Sequence, residues 1–184
     1  MIEFDEAKHE YSKGGTIYPS VTTILQDVGL VDITYFTEES AMRGTYVHDC
    51  LKLLDENVPL VMMDIGEDIE GYINAYLKFK KENDYKIIES ETHHINETMR
   101  FAGTPDRVCT LNGKEAIIDI KTGAKCDWHG IQLSGYKLLL GESKLLLYGL
   151  YLKDTGTYRL EPYKDADYRN VFYAALTVYG FKHK

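Results

Sequence analysis

Glu115-Ala116-Ile117-Ile118-Asp119-Ile120-Lys121-Thr122-Gly123 reads as an apolar strand that ends in charge. Side chains alternate along a strand, so Ile118 and Ile120 face one way and Asp119 and Lys121 the other. The isoleucine face belongs to a core. The opposite face sets a carboxylate beside an ammonium at the end of a strand that is otherwise hydrophobic. Such charges are costly to desolvate and need a partner or a function. Asp119 is suited to hold a divalent cation, with Lys121 orienting or helping to deprotonate a water beside it. An ordinary Asp–Lys pair at a strand end has the same spacing, so a second acid is needed to choose between them.

That acid stands just upstream, in Phe101-Ala102-Gly103-Thr104-Pro105-Asp106-Arg107-Val108. The Asn112-Gly113 turn joins this segment to the Asp119 strand as a hairpin. Asp106 and Asp119 then lie almost equally far from the turn, and opposed residues on one face of a hairpin sit about 5 Å apart. Two carboxylates that close repel unless a cation lies between them. Hard oxygen ligands of this kind suit Mg²⁺ or Mn²⁺.

Outward from this hairpin the periodicity changes. Upstream, Glu3 to Tyr18 reads as a short hairpin around Gly14-Gly15, and Pro19-Ser20 opens a short helix through Leu25 with Gly29 near its stop. A longer helix starts at Thr37 and runs to about Asp55 with Val47, Leu51 and Leu54 as its stripe. A further helix spans Asp68 to Lys81, with Ile69, Ile73, Tyr76 and Leu77 apolar. Tyr85 to His94 and Met99 to Thr110 read as strands. Downstream come a helix from Trp128 to Leu140, strands over Leu145 to Leu152 and Thr157 to Tyr163, and a helix from Asp167 to Phe181. In that last helix Tyr168, Phe172, Ala175 and Tyr179 recur at helical spacing, which reads as a packing face. The order predicts an α/β fold with a mixed central β-sheet flanked by helices.

No internal repeat, low-complexity tract or linker divides the 184 residues. One domain over 1–184 is expected: a hairpin and helices in 1–82, the strand-rich core with the paired acids in 83–152, and a strand and helix in 153–184. The 44% hydrophobic and 12% aromatic content excludes wholesale disorder. No apolar run approaches the roughly 20 residues that span a bilayer, and Glu3, Asp5 and Glu6 stand where a signal peptide carries positive charge. A cytoplasmic protein without a membrane partner is expected. Cys50, Cys109 and Cys126 are scattered, which excludes a zinc knuckle and predicts no iron–sulfur cluster. The net charge of −8 repels nucleic acid only at short range, since salt screens it beyond about 8 Å, so any nucleic-acid contact must rest on a local basic rim and bound cations.

Asp106 followed by Asp119-Ile120-Lys121 resembles the D…(D/E)-x-K signature of the PD-(D/E)xK nuclease superfamily. Other segments are similar, in the same order, to motifs of its RecB-like exonuclease branch. Arg43-Gly44-Thr45-Tyr46-Val47-His48 matches a G-x-x-x-H helix, Gly103-Thr104-Pro105-Asp106 a G-x-x-D, and Gln132-Leu133-Ser134-Gly135-Tyr136 a Q-x-x-x-Y. Pro19 to Leu25 is similar to the opening of small viral and mitochondrial single-strand exonucleases in this branch. The likeness covers Tyr18 to Tyr136.

The resemblance implies a restriction-endonuclease-like core and hydrolysis of DNA phosphodiesters at single-stranded ends. One or two Mg²⁺ or Mn²⁺ ions would be held by His48, Asp106, Asp119 and the Ile120 carbonyl. Lys121 would act as a fixed charge at the attacking water, with Gln132 and Tyr136 positioning it and the scissile phosphate. Glu91 fits the upstream acid that the branch carries on its first strand, with Glu89 on the same strand face as its rival. Arg43, Arg107, Lys125 and Lys137 flank these motifs as a basic rim for the DNA backbone. The residues alone leave open the same metal site acting on RNA or another phosphoester. They also leave open a catalytically silent fold that binds nucleic acid or protein.

Overall fold

The computed structural model describes residues 1–5, 10–31, 37–63, 65–141 and 144–184, with residue 62 described by its main chain alone. Its centre is a five-stranded sheet in the order β10-β9-β8-β7-β4, built from β4 (Tyr85–Ser90), β7 (Arg107–Leu111), β8 (Lys114–Lys121), β9 (Leu146–Leu152) and β10 (Tyr158–Tyr163). β8 and β9 run parallel and the other pairs antiparallel, so the sheet is mixed. A parallel pair needs a long crossover, and α4 (Trp128–Leu140) supplies it. β8 is central and covered on both faces, which explains its unbroken buried run from Ala116 to Ile120.

Helices pack on each face. α1 (Val21–Asp27), α4 and α5 (Asp165–Lys182) share a core with Ile117, in which Ile24, Leu133 and Phe172 are fully buried. α2 (Glu38–Asp55) and α3 (Glu67–Glu82) share the other with Ile118 and Ile120, through Val47, Leu51, Ala75 and Phe79. A small antiparallel sheet of β1 (Glu3–Asp5), β2 (Glu10–Lys13) and β3 (Thr16–Tyr18) lies beside the two-stranded pair β5 (His94–Asn96) and β6 (Phe101–Gly103). The Ala102 amide donates to the Pro19 carbonyl at 2.8 Å, and Ser20 bridges Ala102. The chain is therefore α/β with a mixed central sheet flanked by helices. Among the described residues no helix is long and apolar enough to cross a membrane.

Local signals explain most boundaries. Ser20 caps α1 by accepting from the Thr23 amide, and Gly29 follows at φ 77°. Thr37 and Ser40 form a capping box on α2. Asn112 and Gly113 both take positive φ, 50° and 78°, as the tight β7–β8 hairpin requires. Phe172 and Ala175 are buried with Tyr168 and Tyr179 against them, the packing face expected of α5.

Three expectations are corrected. Tyr85–His94 is not one strand: β4 carries a bulge between Ile87 and Glu89 and stops at Ser90, where the positive φ of 49° at Glu91 turns the chain before β5 begins. Met99–Thr110 divides into β6 and β7, because Pro105 between them has no amide to give a ladder. Leu77, assigned to the apolar stripe of α3, is 45% exposed, and Tyr72, Ala75 and Phe79 fill the buried face instead.

The close approach of α3 to the β9–β10 connection yields a direct prediction. A Cβ on Gly71 would lie 1.6 Å from the Asp154 carbonyl oxygen, a backbone atom that cannot turn aside. Gly71→Ala should destabilise at or above the upper end of the roughly 1–3 kcal/mol that overpacking costs. The expected fall in Tm is about 6–10 °C. A melting curve unchanged from wild type would contradict this packing.

Candidate active site

β8 delivers Asp119 and Lys121 to one end of the sheet, and the entry to β7 delivers Asp106. Arg107 pairs with Ile118, which sets Asp106 across from Asp119. Asp106 Oδ2 accepts the Ile120 amide at 2.7 Å. Lys121 Nζ lies 2.7 Å from Asp119 Oδ2 as an ion pair and donates to Gln132 Oε1 at 3.1 Å. From α4, Gln132 Nε2 donates to the Tyr136 hydroxyl at 3.1 Å and to Thr22 Oγ1 at 3.3 Å. The Tyr136 ring in turn packs on Gly103, where a Cβ would meet it at 3.0 Å. The order Gly103, Asp106, Lys121, Gln132, Tyr136 in sequence thus closes into one cluster in space.

α2 brings His48 to the same point. Its Nε2 donates to the Ile120 carbonyl at 3.1 Å, and its Nδ1 stands 3.8 Å from Asp106 Oδ1. Gly44, one turn earlier, is not forced by crowding, since a Cβ there would sit 3.7 Å from Thr122 Oγ1, an ordinary contact. Gly135 is forced: a Cβ would press on Phe172 at 2.8 Å and Val21 at 2.9 Å, so it lets α1 and α5 close on α4.

Burial sets the electrostatics. Asp119 is 1% exposed, and loss of water pushes its carboxyl up to about 6, against the opposing pull of Lys121. Burial alone would lower Lys121, but Asp119 and Asp106 outweigh it and hold the ammonium above its ordinary value. Burial also raises the Tyr136 phenol, so it stays protonated as a donor or acceptor.

The other expected residues divide. Glu91 lies beyond β4, not on it, but its amide donates to the Asp106 carbonyl at 3.1 Å and its carboxylate meets Lys52 at 3.3 Å and Arg107 at 3.5 Å. Glu89 is occupied by His94 at 2.7 Å. The positive φ of 49° at Glu91, past the last ladder pair of β4 at Ser90, breaks the shared face expected for the two acids and leaves Glu91 beside Asp106. Of the four rim cations, Arg43 borders the cavity next to His48 and Lys121. Arg107 does not: it is fully buried and donates to Asp55 Oδ2 and to the Asp106 carbonyl, because a hydrogen-bonded acid lies inside the fold to receive it. Lys137 is tied to the Leu145 carbonyl at 2.8 Å, near the C-terminal end of α4. Lys125 pairs with Glu161 at 2.9 Å.

Two residues here belong to no motif in the sequence. Asp55 anchors Arg107, Tyr76 and Lys80 together. His129 lies one turn before Gln132, a three-residue spacing that was the available signal. His129 is buried, and burial followed by the nearby Lys121 charge drives its imidazole down to about 3. A base with a depressed folded value is neutral in the fold and charges more readily when unfolded. Its contribution is present above the unfolded value near 6.5 and is lost as pH falls toward 3. Asp119, raised in the fold, titrates in the opposite sense near 6, so the measurement is the difference between wild type and His129→Gln. By urea denaturation the stability of wild type relative to His129→Gln should fall between those limits with a slope approaching about 1.4 kcal/mol per pH unit, and a difference independent of pH would place the titration elsewhere.

The donor set fits a hard divalent cation: two carboxylates, a main-chain carbonyl and an imidazole converge, and Asp119 Oδ2 is buried without a well-formed hydrogen bond. In this arrangement the donors engage one another. Among the described residues no three His, Cys, Asp or Glu side chains stand at metal-holding spacing.

No protein-family model matches this sequence, and no curated protein does. Among solved structures the chain is similar to a protein named SSO0001, with 16% identity over 86% of this chain and 84% of that one and a TM-score of 0.33, a likeness too slight to bear on the fold or the site.

Proposed function

We propose that this chain is a metal-dependent deoxyribonuclease with a restriction-endonuclease-like core, acting on single-stranded DNA ends. The observation that carries the proposal is the meeting of His48, Asp106, Asp119 and Lys121 from three separate elements around the Ile120 peptide. A chain with no use for this cluster would have little reason to bury Asp119 and set a half-buried acid and lysine against it. His48, Asp106, Asp119 and the Ile120 carbonyl would hold Mg²⁺ or Mn²⁺, which supplies Lewis-acid stabilisation to phosphoryl oxygens.

The protein's own part is positioning. Lys121, held between Asp119 and Gln132, presents a fixed cation to the phosphate and the attacking water. Gln132, itself held by Tyr136 and Thr22, keeps that ammonium from collapsing wholly onto Asp119. Arg43 stands at the cavity edge as a contact for the DNA backbone. The choice of DNA, of ends and of a cytoplasmic location rests on the sequence resemblance and the sequence pattern.

The test is cleavage of end-labelled linear single-stranded DNA beside a closed single-stranded circle, with Mg²⁺, Mn²⁺ or EDTA. Loss of the linear strand with survival of the circle, abolished by EDTA, is the expected result. Millimolar Mn²⁺ should raise the Tm of wild type and leave Asp106→Asn/Asp119→Asn where salt alone puts it. Cutting of the circle would make the enzyme an endonuclease. No cutting of DNA or RNA and no metal-dependent shift would leave a silent binding fold.

A further inference from the structure

A cavity of about 440 Å³ opens beside Lys121, between the first half of α2 and the segment leading into α4. Arg43, His48, Lys121, Cys126, Trp128 and His129 are among its walls. Its size falls in the range of about 300–1,000 Å³ that takes a small ligand.

His129 reaches this cavity with a defined proton. Its Nδ1 accepts from the Cys126 amide at 3.3 Å, and an amide can only donate, so Nδ1 is bare and Nε2 carries the hydrogen. The Tyr151 hydroxyl, 2.7 Å from the same Nδ1 and 2.6 Å from Tyr163, fixes the ring further. Nε2 has no hydrogen-bond partner among the described residues, although His129 is buried. A histidine in the wall of a cavity, with its N–H left unpaired among the described residues, can donate to something that enters. Arg43 repeats the pattern: its Nε is buried and makes no hydrogen bond among the described residues. Neither group is used by the cluster around Asp106 and Asp119.

We propose that this cavity receives one unpaired nucleotide next to the scissile phosphate, with His129 Nε2–H and the Arg43 guanidinium as its polar contacts. The inference rests on the nuclease reading above and deepens it. Two cations, Arg43 and Lys121, favour a phosphate-bearing ligand over a peptide or lipid. Ala41, Gly44 and Gly123 leave room in the wall beside the Trp128 ring, which suits a sugar and base. α2 walls it on one side and the 121–129 segment on the other. A duplex end would have to give up a base pair to fill it, which costs little only when the strand is already single.

Cys126 in the wall gives a readout that needs no catalysis, because Cys50 and Cys109 are buried and stay silent to a thiol reagent. In EDTA, a short single-stranded oligothymidylate should slow labelling of Cys126 about tenfold at saturation. By fluorescence anisotropy, His129→Gln and Arg43→Ala should each weaken binding of that oligonucleotide about tenfold, the worth of one hydrogen bond to a charged group. Arg43→Ala should also lower the salt slope by about one. Tyr151→Phe, which keeps the imidazole but removes its second restraint, should weaken binding less than His129→Gln. Binding with shielding of Cys126 in a protein that cuts nothing would uphold the pocket and remove the nuclease reading. Cutting without shielding of Cys126 would overturn the pocket and leave the nuclease. Absence of both binding and cutting would overturn the two together.

Discussion

Lys121→Ala is expected to slow DNA cleavage by about a thousandfold, the effect of removing one preorganised charge from the reacting phosphate. The loss should fall on kcat, with KM nearly unchanged, because Lys121 sits between Asp119 and Gln132 and is aimed at the reacting centre more than at the strand. A variant keeping more than a tenth of wild-type kcat would remove Lys121 from the chemistry.

The stability of the same variant should depend on pH in a stated direction. Asp119 already titrates near 6 because burial disfavours its charge, with Lys121 pulling the other way. Without Lys121 the carboxyl moves higher still. A group raised in the fold stabilises below its unfolded value and loses that stability as pH rises through its folded value. The deficit of Lys121→Ala relative to wild type should therefore be small at pH 5 and grow toward pH 8, measured by urea denaturation. Asp119→Asn/Lys121→Met, with neither charge buried, should recover much of the loss while remaining inactive. Equal deficits at both pH values would mean that Asp119 is better solvated than its 1% exposure implies.

Why is this cluster legible in the sequence? Its parts sit at element ends whose signals are local. Alternation in β8 separates Ile118 and Ile120 from Asp119 and Lys121, and the Asn112-Gly113 turn sets the register that opposes Asp106 to Asp119. Both depend on a few adjacent residues. The four-residue spacing of Gln132 and Tyr136 likewise survives as a hydrogen bond.

What failed depended on distant partners. Glu89 and Glu91 look equivalent in an ideal strand, and only the reversed φ at Glu91, past the last ladder pair of β4, separates them. Leu77 fits an apolar stripe on paper, yet the buried face of α3 is set by where α2 and β8 lie. Gly44, one turn before His48, meets no crowding, so its motif spacing carries no packing reason of its own. Arg107 next to Asp106 resembles a DNA contact until Asp55, at the end of α2, is brought against it. A charge read as surface in sequence becomes core when its counterion is supplied from another element.

Arg107 therefore carries the second large expectation. Arg107→Met should cost about 3–5 kcal/mol, the penalty for leaving a buried charge without its partner. Asp55 would keep the Tyr76 hydroxyl at 2.8 Å and Lys80 at 2.8 Å, which places the loss toward the lower end of that range. Arg107→Met/Asp55→Leu should recover part of it, since an apolar pair of similar volume replaces the ion pair. Activity gives a separate reading. Arg107 also donates to the Asp106 carbonyl at 2.7 Å, so its loss frees the main chain behind a carboxylate proposed to hold the metal. Per folded molecule, kcat should fall while KM and the salt dependence of DNA binding stay put. A residue on the DNA-binding rim behaves in the opposite way: removing it raises KM and lowers the salt slope by about one, with little change in stability. A stable Arg107→Met protein with weakened, less salt-sensitive binding would move Arg107 back to the surface and dissolve the link between Asp55 and the site. An unstable one with unaltered DNA affinity would make the buried ion pair the brace on which Asp106 stands.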